Sequence, residues 1–134
     1  GSGVTIAVLD TGIDLTHPEL VSSIVGGQSF VSYTTSFADD HSHGTHVSGI
    51  ITADGVNANA KGAAPGAGVW MGKVCNAAGS CFVSDIVAGI EFIALGPDGI
   101  PNTADDSINI MSISLGGGGT SSSNCDSDFL ASKV

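Results

Sequence analysis

The chain predicts an α/β fold, a parallel β-sheet flanked by helices, and three observations carry that expectation. Val4–Leu9 is a continuous apolar run, as in strands covered on both faces, and Val69–Val74 and Ile108–Ile113 read as two further buried strands. Between the last two lies a segment with apolar residues at three- and four-residue spacing, Ile86, Val87, Ile90, Ile93 and Ala94, which is the stripe of an amphipathic helix. Strands alternating with helices imply crossover connections and a parallel sheet.

Taken in order, Val4–Leu9 is the first buried strand and runs into Asp10-Thr11-Gly12. Residues 11–20 read as a loop containing His17-Pro18, and a weaker strand follows near Ile24–Val31. A polar loop covers Ser32 to Ser42. His43 to about Thr52 reads as a helix, although Gly44 and Gly49 are poor helix formers that close packing would have to justify. Val69–Val74 is the second buried strand. Ser84 is placed to cap the next helix, because its hydroxyl oxygen can accept an amide of the first turn. Gly, Pro, Asn and Asp between Gly96 and Ser107 break regular structure and read as an inserted loop. Ile108–Ile113 is the third buried strand, Gly116–Gly119 and Ser121–Ser123 are a flexible segment, and Asp128–Val134 begins another helix.

Composition excludes several functions. Thirteen acidic residues face three lysines and no arginine, a formal charge of −10. A phosphate backbone would be repelled, so nucleic acid is not an expected partner. No apolar run approaches the length of a membrane span. Excess carboxylate suits calcium sites, a high-salt habitat or simple solubility. Cys75 and Cys81 flank five residues; a small disulfide across a turn and two ordinary thiols are both compatible with that spacing. Cys125 is left over.

In parallel sheets, function gathers beyond the carboxyl ends of the strands. Asp10 and Ser114 both fall there. Alone, Asp10 reads as a loop aspartate capping a turn, and His43 as a satisfied polar residue at a helix start. Their context changes that reading. Val-Leu-Asp-Thr-Gly-Ile-Asp at 8–14, His-Gly-Thr-His-Val-Ser-Gly at 43–49 and Met-Ser-Ile-Ser-Leu-Gly-Gly at 111–117 occur in this order. The set resembles the subtilisin-like serine proteases, the subtilase superfamily, over almost the whole chain, and specifically the N-terminal part of their catalytic domain (residues 1–134, the N-terminal half only of the subtilisin-like fold).

The resemblance implies that Asp10 and His43 are the aspartate and histidine of an Asp-His-Ser triad. His46, the second histidine of that motif, is expected to face the interior and to be structural. Ser114, Leu115 and Gly116 match one backbone edge that pairs with substrate. Gly79, Ser80 and Cys81, with Val83 beyond them, match the other. A polypeptide substrate would lie between the two edges as an added strand.

Two elements of the family pattern are missing from the sequence. No Gly-Thr-Ser-x-Ala segment supplies the nucleophile, and no asparagine stands in the oxyanion context, a donor worth about 10²–10³ in rate. The expectation is therefore a secreted endopeptidase as the parent protein. This chain would be inactive and unstable alone, and partnered by the missing C-terminal segment or a complementing chain. The competing reading is a non-catalytic protease-like module that binds peptides. A nucleotide-binding domain is disfavoured, since Asp10-Thr11-Gly12 lacks a glycine-rich phosphate turn.

The resemblance also implies calcium. The 96–107 loop is similar to an insertion in calcium-dependent archaeal subtilisins, which makes Asp98, Asp105 and Asp106 candidate ligands, with a solvated acidic loop as the alternative. A second family site would use Glu19, just after His17-Pro18, with the loop from Asp54 to Ala60. There Val56 stands where a side-chain ligand is expected and Asn57 or Asn59 could substitute. His41, His43 and His46 have spacing that could suggest zinc, a reading the family resemblance displaces.

Overall fold

The first apolar run becomes the middle of a sheet because both of its faces need cover, and the chain returns twice to supply it. A computed structural model of the protein describes residues 1–56, 60–101 and 108–117. The elements run β1 (Thr5–Asp10), β2 (Ile24–Ser29), α1 (His43–Thr52), β3 (Gly68–Lys73), α2 (Val83–Leu95) and β4 (Ile110–Ile113). The four strands form one sheet in the order β2-β3-β1-β4, and every pairing is parallel.

The period of two in the strands divides the core between the helices. Ile6 and Val8 of β1 join Val69 and Met71 of β3 and Val47 of α1 on one face. Ala7 and Leu9 join Val74 of the segment after β3 and Ile86, Ile90 and Ile93 of α2 on the other. Trp70 stacks on Phe92 with ring centres 5.4 Å apart, and Phe30 meets the same ring edge-on at 5.8 Å. Gly72 has Leu9 pressed against it, and a Cβ there would fall 2.3 Å from a Leu9 methyl carbon.

The expected α/β architecture is the one found, and among the described residues the expected elements appear within a few residues of their predicted bounds. Three details differ. Ile108–Ile113 was expected to be buried, but β4 is half-exposed and Ile110 is 52% accessible; among the described residues it pairs only with β1. Ser84 does not cap α2. The helix starts one residue before it, at Val83, the capping position falls on Phe82, and the Ser84 hydroxyl donates to Asp85 at 3.1 Å. Asp85 supplies the acidic group that suits the positive end of the helix. His46 does not face the interior. Gly44, Val47, Ser48 and Thr52 are the buried residues of α1, so the 100° step per residue turns His46 and Ile50 outward. Both line a cleft of about 910 Å³ along the outer side of the helix.

The Asp128–Val134 helix, Ser121–Ser123 and Cys125 lie outside the described residues, as do Gly118 and Gly119. No described helix is long and apolar enough to cross a membrane.

Candidate active site

Asp10 closes β1 and is fully buried. Its carboxylate accepts the Thr11 amide at 2.7 Å and meets Nδ1 of His43 at 2.8 and 2.9 Å through its two oxygens. A buried carboxylate is costly unless hydrogen-bonded, and these contacts satisfy it. His43 is the first residue of α1, with 45% of its side chain exposed. The imidazole is therefore held through Nδ1 on a buried aspartate, with nearly half of the side chain left exposed.

Local sequence explains how the histidine arrives there. Ser42 takes a left-handed conformation, φ 90°, which turns the chain into the helix and leaves the Ser42 side chain without a capping bond. Asp39 takes over that task. It accepts the amides of His41 and Ser42 at 3.0 Å each, and both the amide and the hydroxyl of Thr45. The amides at the start of a helix lack partners within it, and Asp39 satisfies one of them. Burial opposes ionisation of Asp39, but the bonds from the Thr45 hydroxyl and from the three amides outweigh it and bring its carboxyl down to about 2. Asp39 also accepts the hydroxyl of Thr11 at 2.9 Å, and that same hydroxyl accepts the Gly44 amide at 2.9 Å. Loop, strand exit and helix start thus form one hydrogen-bonded unit around Asp10 and His43. Sequence reasoning missed Asp39, whose role depends on the left-handed turn at Ser42, and that turn has no signature in the residues.

The two edges expected to hold a peptide leave the two strands that flank β1. After β3, Cys75 and Cys81 are disulfide-bonded and form an antiparallel bridge. That settles the open alternative in favour of the disulfide. The enclosed turn is held by Asn76, whose side chain accepts the amides of Ala78 and Ser80 at 2.9 and 3.1 Å. Gly79 has φ +74°, a backbone conformation that strains other residues, and a Cβ there would lie 2.8 Å from Nε2 of His41, which would have to move. His41 in turn meets His43 edge-on with ring centres 6.5 Å apart. Gly79 is thereby brought toward His43 through His41. Ser80 is exposed, Cys81 half-buried, and Val83 opens α2. After β4, Ser114 and Gly116 are exposed and Leu115 packs on the α2-side core.

The candidate metal ligands are not gathered in the same way. Glu19 is buried and accepts the Gly55 amide at 2.9 Å. Its main-chain carbonyl accepts the Asp54 amide at 3.1 Å, so the two predicted residues do meet. Asp54 accepts the Ser22 hydroxyl at 2.9 Å and the Val56 amide at 3.0 Å, bonds that hold its carboxyl below the usual range. Asp98 is exposed on the loop after α2 and accepts the Ile100 amide at 2.8 Å. Calcium takes six to eight oxygens, and among the described residues no group of three His, Cys, Asp or Glu is placed to hold a metal ion. Asp105, Asp106, Asn57 and Asn59 lie outside the described residues.

Comparison with known proteins accounts for this arrangement. A model of the subtilase family matches residues 1–133. Serine protease AprX of Bacillus subtilis (strain 168) is 40% identical over 119 residues, covering 87% of this chain and 26% of that protein. Subtilisin Savinase of Lederbergia lenta is 49% identical over 92 residues, 69% of this chain and 33% of the relative. Among solved structures, the crystal structure of a cold adapted subtilisin-like serine proteinase aligns with a TM-score of 0.62 and 30% identity over 71% of this chain and 33% of that one. The chain spans about a quarter to a third of the length of these curated relatives. With a family match along nearly its whole length and the fold to go with it, the chain belongs to the subtilase family.

Proposed function

We propose that these residues supply the general base of a serine endopeptidase together with part of its peptide-binding edge. The observation that carries this reading is the contact of Asp10 with His43 Nδ1 at 2.8 Å, on a buried aspartate at the carboxyl end of a central strand. Asp10 accepts the Nδ1 proton, which leaves Nε2 of His43 as the basic nitrogen. That nitrogen takes the proton of a serine hydroxyl as the hydroxyl attacks the scissile carbonyl, and returns it to the departing amine. Asp10 stabilises the imidazolium formed in between.

On this reading the serine and the oxyanion donor come from sequence outside these 134 residues, and the chain alone does not cleave peptides. The peptide lies between the 79–81 and 114–116 segments as an added strand, recognised by its backbone. An extracellular location fits a disulfide-bonded, strongly acidic chain. Calcium remains part of the proposal through Glu19 and Asp54, where it would tie the 17–20 loop to the end of α1 and have a structural rather than a chemical role.

The test is labelling by a fluorophosphonate and hydrolysis of a peptide substrate, measured on the complete catalytic domain and on this chain alone. Labelling and turnover by the complete domain, with neither in the chain alone, is expected. A complete domain that folds and binds peptides but is neither labelled nor active overturns the reading in favour of a non-catalytic binding module.

A further inference from the structure

Lys73 carries a charge that the Asp10–His43 chemistry does not use. Its side chain is fully buried, and lysine is almost never buried unless paired. Lys73 ends β3, and its register partner on β1 is Asp10. Register partners on adjacent parallel strands point to the same face of the sheet. Asp10 and Lys73 therefore stand side by side at the carboxyl ends of neighbouring strands, on the α1 face.

The ammonium nevertheless bonds elsewhere. Nζ donates to the main-chain carbonyl of Thr11, the residue after Asp10. It also donates to Oδ1 of Asp40 at 2.6 Å, in the loop three residues ahead of His43. The second oxygen of Asp40 accepts the Tyr33 hydroxyl at 2.7 Å, and the ammonium lies 5.7 Å from the centre of the Tyr33 ring. Burial opposes ionisation of Asp40, and the bonds from Lys73 and Tyr33 override it, so the carboxyl is held below its usual range.

We propose that Lys73 is a positioning residue: a single buried ammonium locks the loop that delivers His43 to the strand exit that carries Asp10. The inference rests on the catalytic reading of that pair. Stability does not explain the residue, because a buried ion pair is commonly replaceable by apolar side chains at no loss. What an apolar side chain cannot supply is a directional bond to a carbonyl on one side and a carboxylate on the other. The Asp39–Thr11–Gly44 bonds fix the helix start. Lys73 fixes the loop before it, from the opposite side of Thr11.

The experiment compares the complete catalytic domain with its Lys73→Met, Asp40→Asn and doubly substituted forms. A shift of the imidazole by a fraction of an ångström to an ångström costs up to about a hundredfold in rate. We expect kcat to fall about tenfold to a hundredfold in each single variant, with KM within about twofold, and the double variant to be no worse than Lys73→Met. By NMR, the Nδ1 proton of His43 should exchange with solvent faster in both variants. A folded Lys73→Met enzyme with unchanged kcat, or with a loss carried by KM, overturns the proposal. Should Lys73→Met fail to fold, Asp40→Asn decides on the same readouts, since the Asp40 side chain is 35% exposed. An unsubstituted domain that is neither labelled nor active defeats the protease reading instead, and the Nδ1 exchange rates then judge the clamp alone.

Discussion

Gly44 packs so closely on Gly12 that a β-carbon at position 44 would fall 2.2 Å from the Gly12 carbonyl oxygen. The start of α1 is pressed against the exit of β1, and this approach sets the distance from His43 to Asp10. Gly44→Ala is expected to destabilise the domain by about 3 kcal/mol, the upper part of the usual range for overpacking, and to lower activity. Gly49, in the same helix, has no neighbouring atom of the described residues beyond its own helix backbone within 4 Å of its would-be β-carbon. Gly49→Ala should stabilise by about 0.5–1 kcal/mol through helix propensity. Denaturant titration of the two variants reads the contrast directly.

Asp10→Asn keeps the shape of the site but presents an amide to Nδ1, which favours the wrong tautomer of His43. In the complete catalytic domain kcat should fall about 10⁴-fold with little change in the melting temperature. Steady-state kinetics beside a thermal melt separates this outcome from simple unfolding.

The low value of Asp39 gives folding a defined acid dependence. Folding favours its ionised form, because the folded value of about 2 lies below the unfolded value of about 3.9. The resulting stabilisation is fully present above pH of about 4 and is lost as pH falls through about 2. Asp39→Asn should be less stable near neutrality and show a shallower decline across that window. Thermal melts at several pH values between 2 and 5 measure the difference.

The Cys75–Cys81 disulfide closes a short loop on one proposed substrate edge. Chain-entropy arguments give such a loop about 2 kcal/mol. Reduction or the double substitution to serine should lower the melting temperature accordingly. Because the loosened turn carries Gly79 and Ser80, KM for peptides should rise more than kcat falls. Kinetics with and without a phosphine reductant test this.

Calcium, if bound through Glu19 and Asp54, should show as a lower melting temperature in chelator and its recovery on adding calcium. Glu19→Gln should remove that response. A melting temperature indifferent to chelator in the unsubstituted protein would count against any structural calcium.

Much of this organisation was readable in the residues. The continuous apolar run of β1 identified a strand covered on both faces, because period and burial are encoded in the same letters. The pairing of Asp10 with His43 was readable only through the order of motifs; either position alone reads as a turn or a cap. Asp39 escaped notice because its role lies in its hydrogen bonds to a loop whose left-handed Ser42 leaves no sequence trace. Lys73 escaped for a related reason. A lysine ending an apolar run looks like the polar boundary of a strand, and only the register with Asp10 and the position of Asp40 reveal a buried charge. The outward turn of His46 follows from the helical step that the burial of Val47, Ser48 and Thr52 implies, a signal that the motif itself does not carry.

The strand order has a consequence for how the chain comes together. β1 is made first yet sits inside the sheet, with Thr5 paired to Gly68 and Ile6 to Ile110. None of its neighbours is close in sequence, so loop-closure entropy must be met before any of those pairings contributes. Such topologies nucleate slowly. During synthesis β1 waits, apolar on both faces, until β3 and β4 have been made. That interval is when it is most exposed to wrong pairing and aggregation, and the rate of maturation of this domain should be set there.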